Sequence, residues 1–231
     1  MIGFFSRFRA LARNESGITL VEILVATVVT AIIMVIATNV FINAGQATSL
    51  GKSVNISTKA ASLGLNELSS AIRFSATNPV QGQAINDPAI VLAKNDQLIL
   101  ISYLRVNPSS PQPVKVQFSI DGSGRLIEVR YDSYEMSPGF WGFYATSSSS
   151  QILTGALIPS SGTEAKLFTY LDSDNNPLTV PNAGLTLAQR QSVAAIKVSI
   201  KLKSNDANAG NPVKFENVIG MPNVGINRTG Q

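Results

Sequence analysis

The chain has 231 residues, 18 Lys and Arg against 14 Asp and Glu, a net charge of +4 and a pI near 9.4. It holds no Cys and no His, which excludes disulfide frameworks, thiolate metal sites and any Ser-His-Asp or Cys-His catalytic set. Charged residues make up only 14% against 45% hydrophobic, so the chain is no disordered polyelectrolyte, and some of its apolar surface is expected to face something other than water.

The first seventeen residues carry Arg7, Arg9 and Arg13, with Glu15 as their only acid. An apolar run, Ile18 to Ile42, follows, in which 19 of 25 residues are apolar and Glu22 is the only charge. As a helix it spans ~37 Å, enough to cross a hydrocarbon core of ~30 Å. A buried core helix needs a polar face, and Ile23 to Ala37 offers only Thr27 and Thr30. The basic side predicts a cytoplasmic N-terminus and export of the remainder. A cleaved secretory signal peptide fits less well. The run exceeds the usual 7–15-residue apolar stretch, and Asn43-Ala44-Gly45-Gln46-Ala47 is a poor small-x-small cleavage site.

A carboxylate inside a bilayer costs on the order of 3 kcal/mol, so Glu22 is a functional-site candidate that calls for a cation. Arg13, its nearest basic residue in sequence, lies more than two helical turns back. The run Ser16-Gly17-Ile18-Thr19-Leu20-Val21-Glu22-Ile23-Leu24-Val25-Ala26 resembles the processing site of type IV pilins and pseudopilins. The resemblance implies cleavage by a prepilin peptidase between Gly17 and Ile18, and N-methylation of Ile18. It also implies a role for Thr19 and Glu22 in assembly, with Glu22 neutralising the new amine of a neighbouring subunit. Ile18 departs from the Phe or Met usual at the first mature position. The implied partners are the peptidase, other pilin or pseudopilin subunits met through the N-terminal helix, the cytoplasmic membrane and a pilus assembly platform.

Beyond Ile42 the pattern stays helical and becomes amphipathic. Leu50, Val54, Ala61, Leu65, Leu68 and Ile72 form one stripe, with Lys52, Lys59 and Arg73 free to point elsewhere. No Pro interrupts residues 18–78, and Asn78-Pro79 is the expected stop. Gly45, Gly51 and Gly64 are weak points, each costing ~1 kcal/mol against Ala.

After residue 80 alternation replaces helical spacing. Strands are expected at Gln97–Val106, Val114–Ile120, Arg125–Tyr131, Lys166–Leu171, Val193–Lys203 and Val213–Gly220, with a hairpin turn at Asp121-Gly122-Ser123-Gly124. In Val193–Lys203, Ile196, Val198, Ile200 and Leu202 share the face expected to be buried. Residues 107–113, 146–151 and 159–164 read as Ser/Pro-rich loops.

The expected fold is α+β, a long N-terminal helix with a transmembrane first half packed on an antiparallel sheet. Its divisions are a leader (1–17), a membrane and filament-core segment (18–42), an amphipathic half-helix (43–75) and an exported β-rich domain (76–231). Leu187-Ala188-Gln189-Arg190 and Phe168-Thr169-Tyr170-Leu171-Asp172 resemble parts of larger minor pilins and J-type pseudopilins.

Three other features were weighed. Lys197, Lys201 and Lys203 are candidate nucleic-acid contacts, set against a solvated sheet face. Asp172-x-Asp174-x-Asn176 has the spacing of a calcium loop, but Pro177 and Ala183 occupy its glycine and glutamate positions, so a plain turn is expected. The cluster Phe140-Trp141-Gly142-Phe143-Tyr144 is either a subunit contact or a staple of a loop to the core. No cofactor or metal is expected, and no enzyme. The functional expectation is a minor type IV pilin in a surface filament serving adhesion, motility or DNA uptake. The alternatives are a pseudopilin of a type II secretion system and an unprocessed signal-anchored binding or hydrolytic domain.

Overall fold

The protein is described by a computed structural model at residues 17–82, 86–105, 112–160, 162, 164–202 and 212–224. It divides into two units, residues 1–49 and 50–231. Helix α1 (Leu20–Arg73) begins in the first and ends in the second.

In the first unit, Leu20–Ser49 contains an 18-residue stretch with a mean hydropathy of 2.7, none of which is buried. This part of α1 is long and apolar enough to cross a membrane. Its polar side chains bond to their own backbone. Thr27 Oγ1 donates to Leu24 O at 2.9 Å, Thr38 Oγ1 to Met34 O at 2.7 Å and Asn39 Nδ2 to Val35 O at 3.0 Å. A hydroxyl or amide satisfied in this way enters an apolar medium at far lower cost than a free one.

In the second unit the expected stripe is buried at Ala61, Leu65, Leu68 and Ile72, joined by Ala71. The side chains of Leu50 and Val54 lie outside the described residues. Lys52, Lys59 and Arg73 are exposed. The helix stops at Arg73, earlier than Asn78-Pro79, because the next residues enter a sheet. Tyr103 N donates to Phe74 O at 3.0 Å and Ala76 N to Ile101 O at 3.1 Å. Ser75 Oγ and Asn223 Nδ2 then satisfy two of the last carbonyls, Ile72 O at 2.6 Å and Arg73 O at 3.1 Å.

Among the described residues ten strands follow: β1 (Ile90–Ala93), β2 (Gln97–Arg105), β3 (Gln112–Ile120), β4 (Arg125–Tyr131), β5 (Ser133–Ser137), β6 (Phe140–Phe143), β7 (Ser149–Ala156), β8 (Phe168–Leu171), β9 (Ala195–Leu202) and β10 (Val213–Gly220). A short helix, α2 (Leu187–Gln191), precedes β9. All the strand pairings are antiparallel. The single sheet expected from sequence is three: a five-stranded sheet β1-β2-β3-β4-β7, a three-stranded sheet β10-β9-β8 and the hairpin β5-β6. The two larger sheets share one core with α1, including Phe118, Leu126, Phe168, Tyr170, Ile196 and Ile200.

The expected loop at 146–151 is corrected, since β7 begins at Ser149 and pairs with β4 through Ser149↔Arg130 and Gln151↔Glu128. Its serines look like loop residues, but pairing along β4 overrides propensity. Gln112 and Pro113, expected in a loop, open β3. Strands β1, β5 and β6 are too short for alternation to stand out. The β5–β6 turn is Pro138-Gly139, with Gly139 at φ 80° as such a turn requires.

Gly64 is not a weak point but a contact. A Cβ there would lie 2.5 Å from Leu153 O. Only glycine lets α1 approach the β7 backbone this closely.

Candidate functional site

The junction singled out in the sequence lies at the start of α1. Gly17, Ile18 and Thr19 are non-helical and exposed, and the first helical residue is Leu20. The reason is local. Thr19 is the residue before the helix, and its Oγ1 accepts from Glu22 N at 3.2 Å. In return Glu22 Oε2 accepts from Thr19 N at 3.1 Å and from Thr19 Oγ1 at 3.2 Å. The first helical bond closes behind them, from Ile23 N to Thr19 O at 3.2 Å. This is a capping box, in which the side chains of the capping residue and of the third helical residue each satisfy the other's backbone N–H.

The arrangement revises the chemistry expected of Glu22. A stranded carboxylate calling for a cation has instead two hydrogen-bond donors from its own chain. A negative group in the first turn also meets the positive end of the helix dipole. Oε2 takes both bonds, and the geometry leaves the second oxygen as an acceptor for a cation. The Thr19-x-x-Glu22 spacing was legible as a cap signal, and the sequence reading missed it by attending only to the charge.

Gly17 has nothing within 4 Å of where a Cβ would stand, and its φ lies outside the left-handed region. Neither crowding nor backbone conformation inside the chain requires glycine there. Ile18 is 74% exposed. Arg7, Arg9 and Arg13 lie outside the described residues.

The other candidates disperse. Lys197 pairs with Glu216 at 3.5 Å and Lys201 with Glu164 at 3.0 Å, and Lys203 lies outside the described residues. At these two described positions each lysine has an acid beside it. Asp172 closes a turn, its Oδ1 accepting from Asp174 N at 2.9 Å and Asn176 N at 2.8 Å, with Asn175 at φ 63°. Trp141 is buried, Asn78 Nδ2 donates to its carbonyl at 3.1 Å, and Phe143 packs on Ala76, Ile101 and Tyr103. These rings staple the β5–β6 hairpin to the core, while Tyr134 and Tyr144 remain exposed with centroids 5.0 Å apart.

A long apolar N-terminal helix followed by antiparallel sheets defines a pilin-like α+β protein. Residues 12–38 match the family model of the prokaryotic N-terminal methylation motif. The chain thus carries the N-terminal signature of type IV pilins and pseudopilins. That signature points to a membrane-anchored structural subunit. The match covers the start of α1 and leaves the β-rich unit outside it. No curated protein matches the chain.

Proposed function

We propose that the protein is a prepilin, cut between Gly17 and Ile18 by a prepilin peptidase, methylated at Ile18 and assembled through α1 into a surface filament as a minor type IV pilin. The observation that carries this reading is the junction itself. It holds an exposed non-helical Gly17–Ile18 bond directly before a capped, membrane-length helix, with a glycine the fold does not need. A glycine unexplained from inside is explained by a narrow site outside. The leader arginines hold the junction on the cytoplasmic side, and the chain beyond the apolar segment is exported. Glu22 remains capped after cleavage, because Thr19 N is still an amide. Its second oxygen is then available to the ammonium of Ile18 on a neighbouring subunit, which offsets the cost of both charges in lipid.

The likeness of residues 168–172 and 187–190 to parts of larger minor pilins favours a minor or initiating subunit over a shaft protein. A pseudopilin of a type II secretion system shares the same junction. It is the second reading, favoured by the likeness of residues 168–172 and 187–190 to J-type pseudopilins.

N-terminal mass spectrometry of the membrane-extracted protein, made in cells with a prepilin peptidase, tests the processing. The expected N-terminus is methylated Ile18; an intact Met1 end overturns the proposal. For Glu22, the Ala variant is expected to be processed and left out of filaments. Glu22→Gln, which keeps the cap and loses the charge, should also be left out; normal incorporation of the Gln variant would mean that the cap, and not the charge, is what assembly uses.

A further inference from the structure

The second unit contains a cleft of about 630 Å³ that the processing and assembly roles do not use. It lies where the turn ends of the five-stranded sheet meet the three-stranded sheet. Backbone bonds across its walls fix its shape: Phe168 N to Asn95 O at 3.0 Å, Ile158 N to Lys201 O at 2.7 Å and Leu157 N to Gly124 O at 2.8 Å. These bonds hold the described walls together, and the volume is that of a small-ligand site.

Its charges are uneven. Lys94, Lys166, Lys201 and Lys214 line it, against Asp96 and Glu164. Lys201 is taken by Glu164 at 3.0 Å, and Lys214 by Glu216 at 2.9 Å. Lys94 and Lys166 form no ion pair among the described residues; Lys166 Nζ donates only to Gly162 O at 3.4 Å. Both stand half-buried, where solvent screens their charge less than at an open surface. Set against Asp96, they leave one positive charge unanswered, which suits a ligand with one acidic group and disfavours a polyanion. Around them are neutral hydrogen-bonding groups, Asn95, Asn182 and Ser160, and an apolar wall that includes Ile120, 39% exposed although it ends a strand. Among the described residues no aromatic ring lines the cleft, and none of them offers a platform for nucleobases.

We propose that this cleft binds an acidic saccharide unit of one or two rings. Its single carboxylate meets Lys94 and Lys166, its hydroxyls meet the asparagine and serine side chains, and a ring face lies on the apolar wall. The inference stands apart from leader cleavage, since every residue in it belongs to the second unit.

Titration calorimetry on the full-length chain in detergent micelles tests it, with a glucuronate-containing disaccharide as probe. Saturable one-to-one binding is expected. It should weaken at least tenfold in the Lys94→Gln/Lys166→Gln double variant and stay unchanged in Lys197→Gln, whose lysine is outside the cleft. Asp96→Asn should tighten binding several-fold, an opposite sign that general loss of structure does not produce. The neutral disaccharide cellobiose should bind at least tenfold more weakly. No saturable binding of the acidic disaccharide, equal affinity in the double variant, or tighter binding of a single-stranded oligonucleotide would each overturn the proposal.

Discussion

Two stretches of α1 are both rich in apolar residues and have opposite surroundings. Along residues 20–49 the large apolar side chains stand exposed on all sides, Ile32 at 55%, Ile33 at 59% and Met34 at 68%. Along residues 61–72 the apolar residues other than the exposed Leu63 fall on one stripe, and Ala61, Leu68, Ala71 and Ile72 are fully buried. The second stretch already has its solvent, the face of two sheets. The first stands exposed among the described residues and needs lipid or other helices. One secondary structure thus serves two media, and the distribution of apolar residues around the helix, more than their number, assigns each part its medium.

The sharpest break of this comparison lies where α1 meets β4. Glu128 has a fully buried carboxylate, bonded to Arg130 Nε and to Gln151 Nε2 at 3.0 Å, while Arg130 also reaches Glu67 on α1. Burial pulls the Arg130 pKa down, but the bond and charge of Glu128 and then of Glu67 outweigh it and raise the pKa above the ordinary guanidinium value. Arg130→Met removes the cation and leaves a buried negative charge, so the second unit should lose about 3–5 kcal/mol in urea unfolding. An unchanged midpoint would show that the second unit does not depend on the Arg130–Glu128 pair.

Leu68→Ala should cost about 2–5 kcal/mol in the same measurement. Ile32→Ala should leave that transition where it is, because Ile32 is 55% exposed and belongs to the first unit. Equal effects would erase the distinction between the two stretches.

The glycines give the comparison a sign. Gly64→Ala forces a Cβ to 2.5 Å from Leu153 O, and overpacking of about 1–3 kcal/mol exceeds the helix propensity gained. Gly45 has nothing within 4 Å, so Gly45→Ala should gain up to ~1 kcal/mol of helix stability, visible in slower amide exchange of the flanking helix. Stabilisation by both substitutions would falsify the close approach of α1 to β7.

The smallest effect expected is in the β3–β4 turn. Asp121 accepts from Arg125 N at 2.8 Å, from the Arg125 guanidinium and from Ser123 N at 2.9 Å. Those bonds, the Arg125 backbone bond foremost, hold its pKa below the usual carboxylate value. A lowered folded pKa means that the stabilisation is complete above the unfolded value of about 3.9 and fades as pH falls through the folded one. The Ser123 amide resonance should therefore move only below about pH 4, and a shift near neutral pH would contradict the assignment.

Several elements were legible because one local signal sufficed. Asp121-Gly122-Ser123-Gly124 marks its hairpin, β4 and β10 have the expected bounds, and alternation along β9 names its buried face. Elements stabilised from a distance were not legible. Strand β1 has four residues and is held by β2 on one side, while Arg190 of α2 donates to its carbonyls at Ile90 and Val91. Strand β7 reads as loop until β4 pairs with it. At the junction, residue types announce Gly17, Ile18 and Glu22, and the Thr19-x-x-Glu22 spacing is a local cap signal whose bonds the structure shows.

By itself the sequence determined what depends on composition and short-range periodicity: a membrane-length apolar helix, its amphipathic continuation, the processing motif, the alternating strands and the absence of His and Cys chemistry. Tertiary structure decided what depends on which distant residues meet. It split the described β region into three sheets, made Gly64 a contact, gave Lys197 and Lys201 their acids and opened a cleft where Lys94 and Lys166 form no ion pair among the described residues. The physical reason is range. Periodicity and capping act over one or two turns of chain, whereas pairing, close approach and charge matching join residues tens to a hundred positions apart, which neighbouring sequence does not encode.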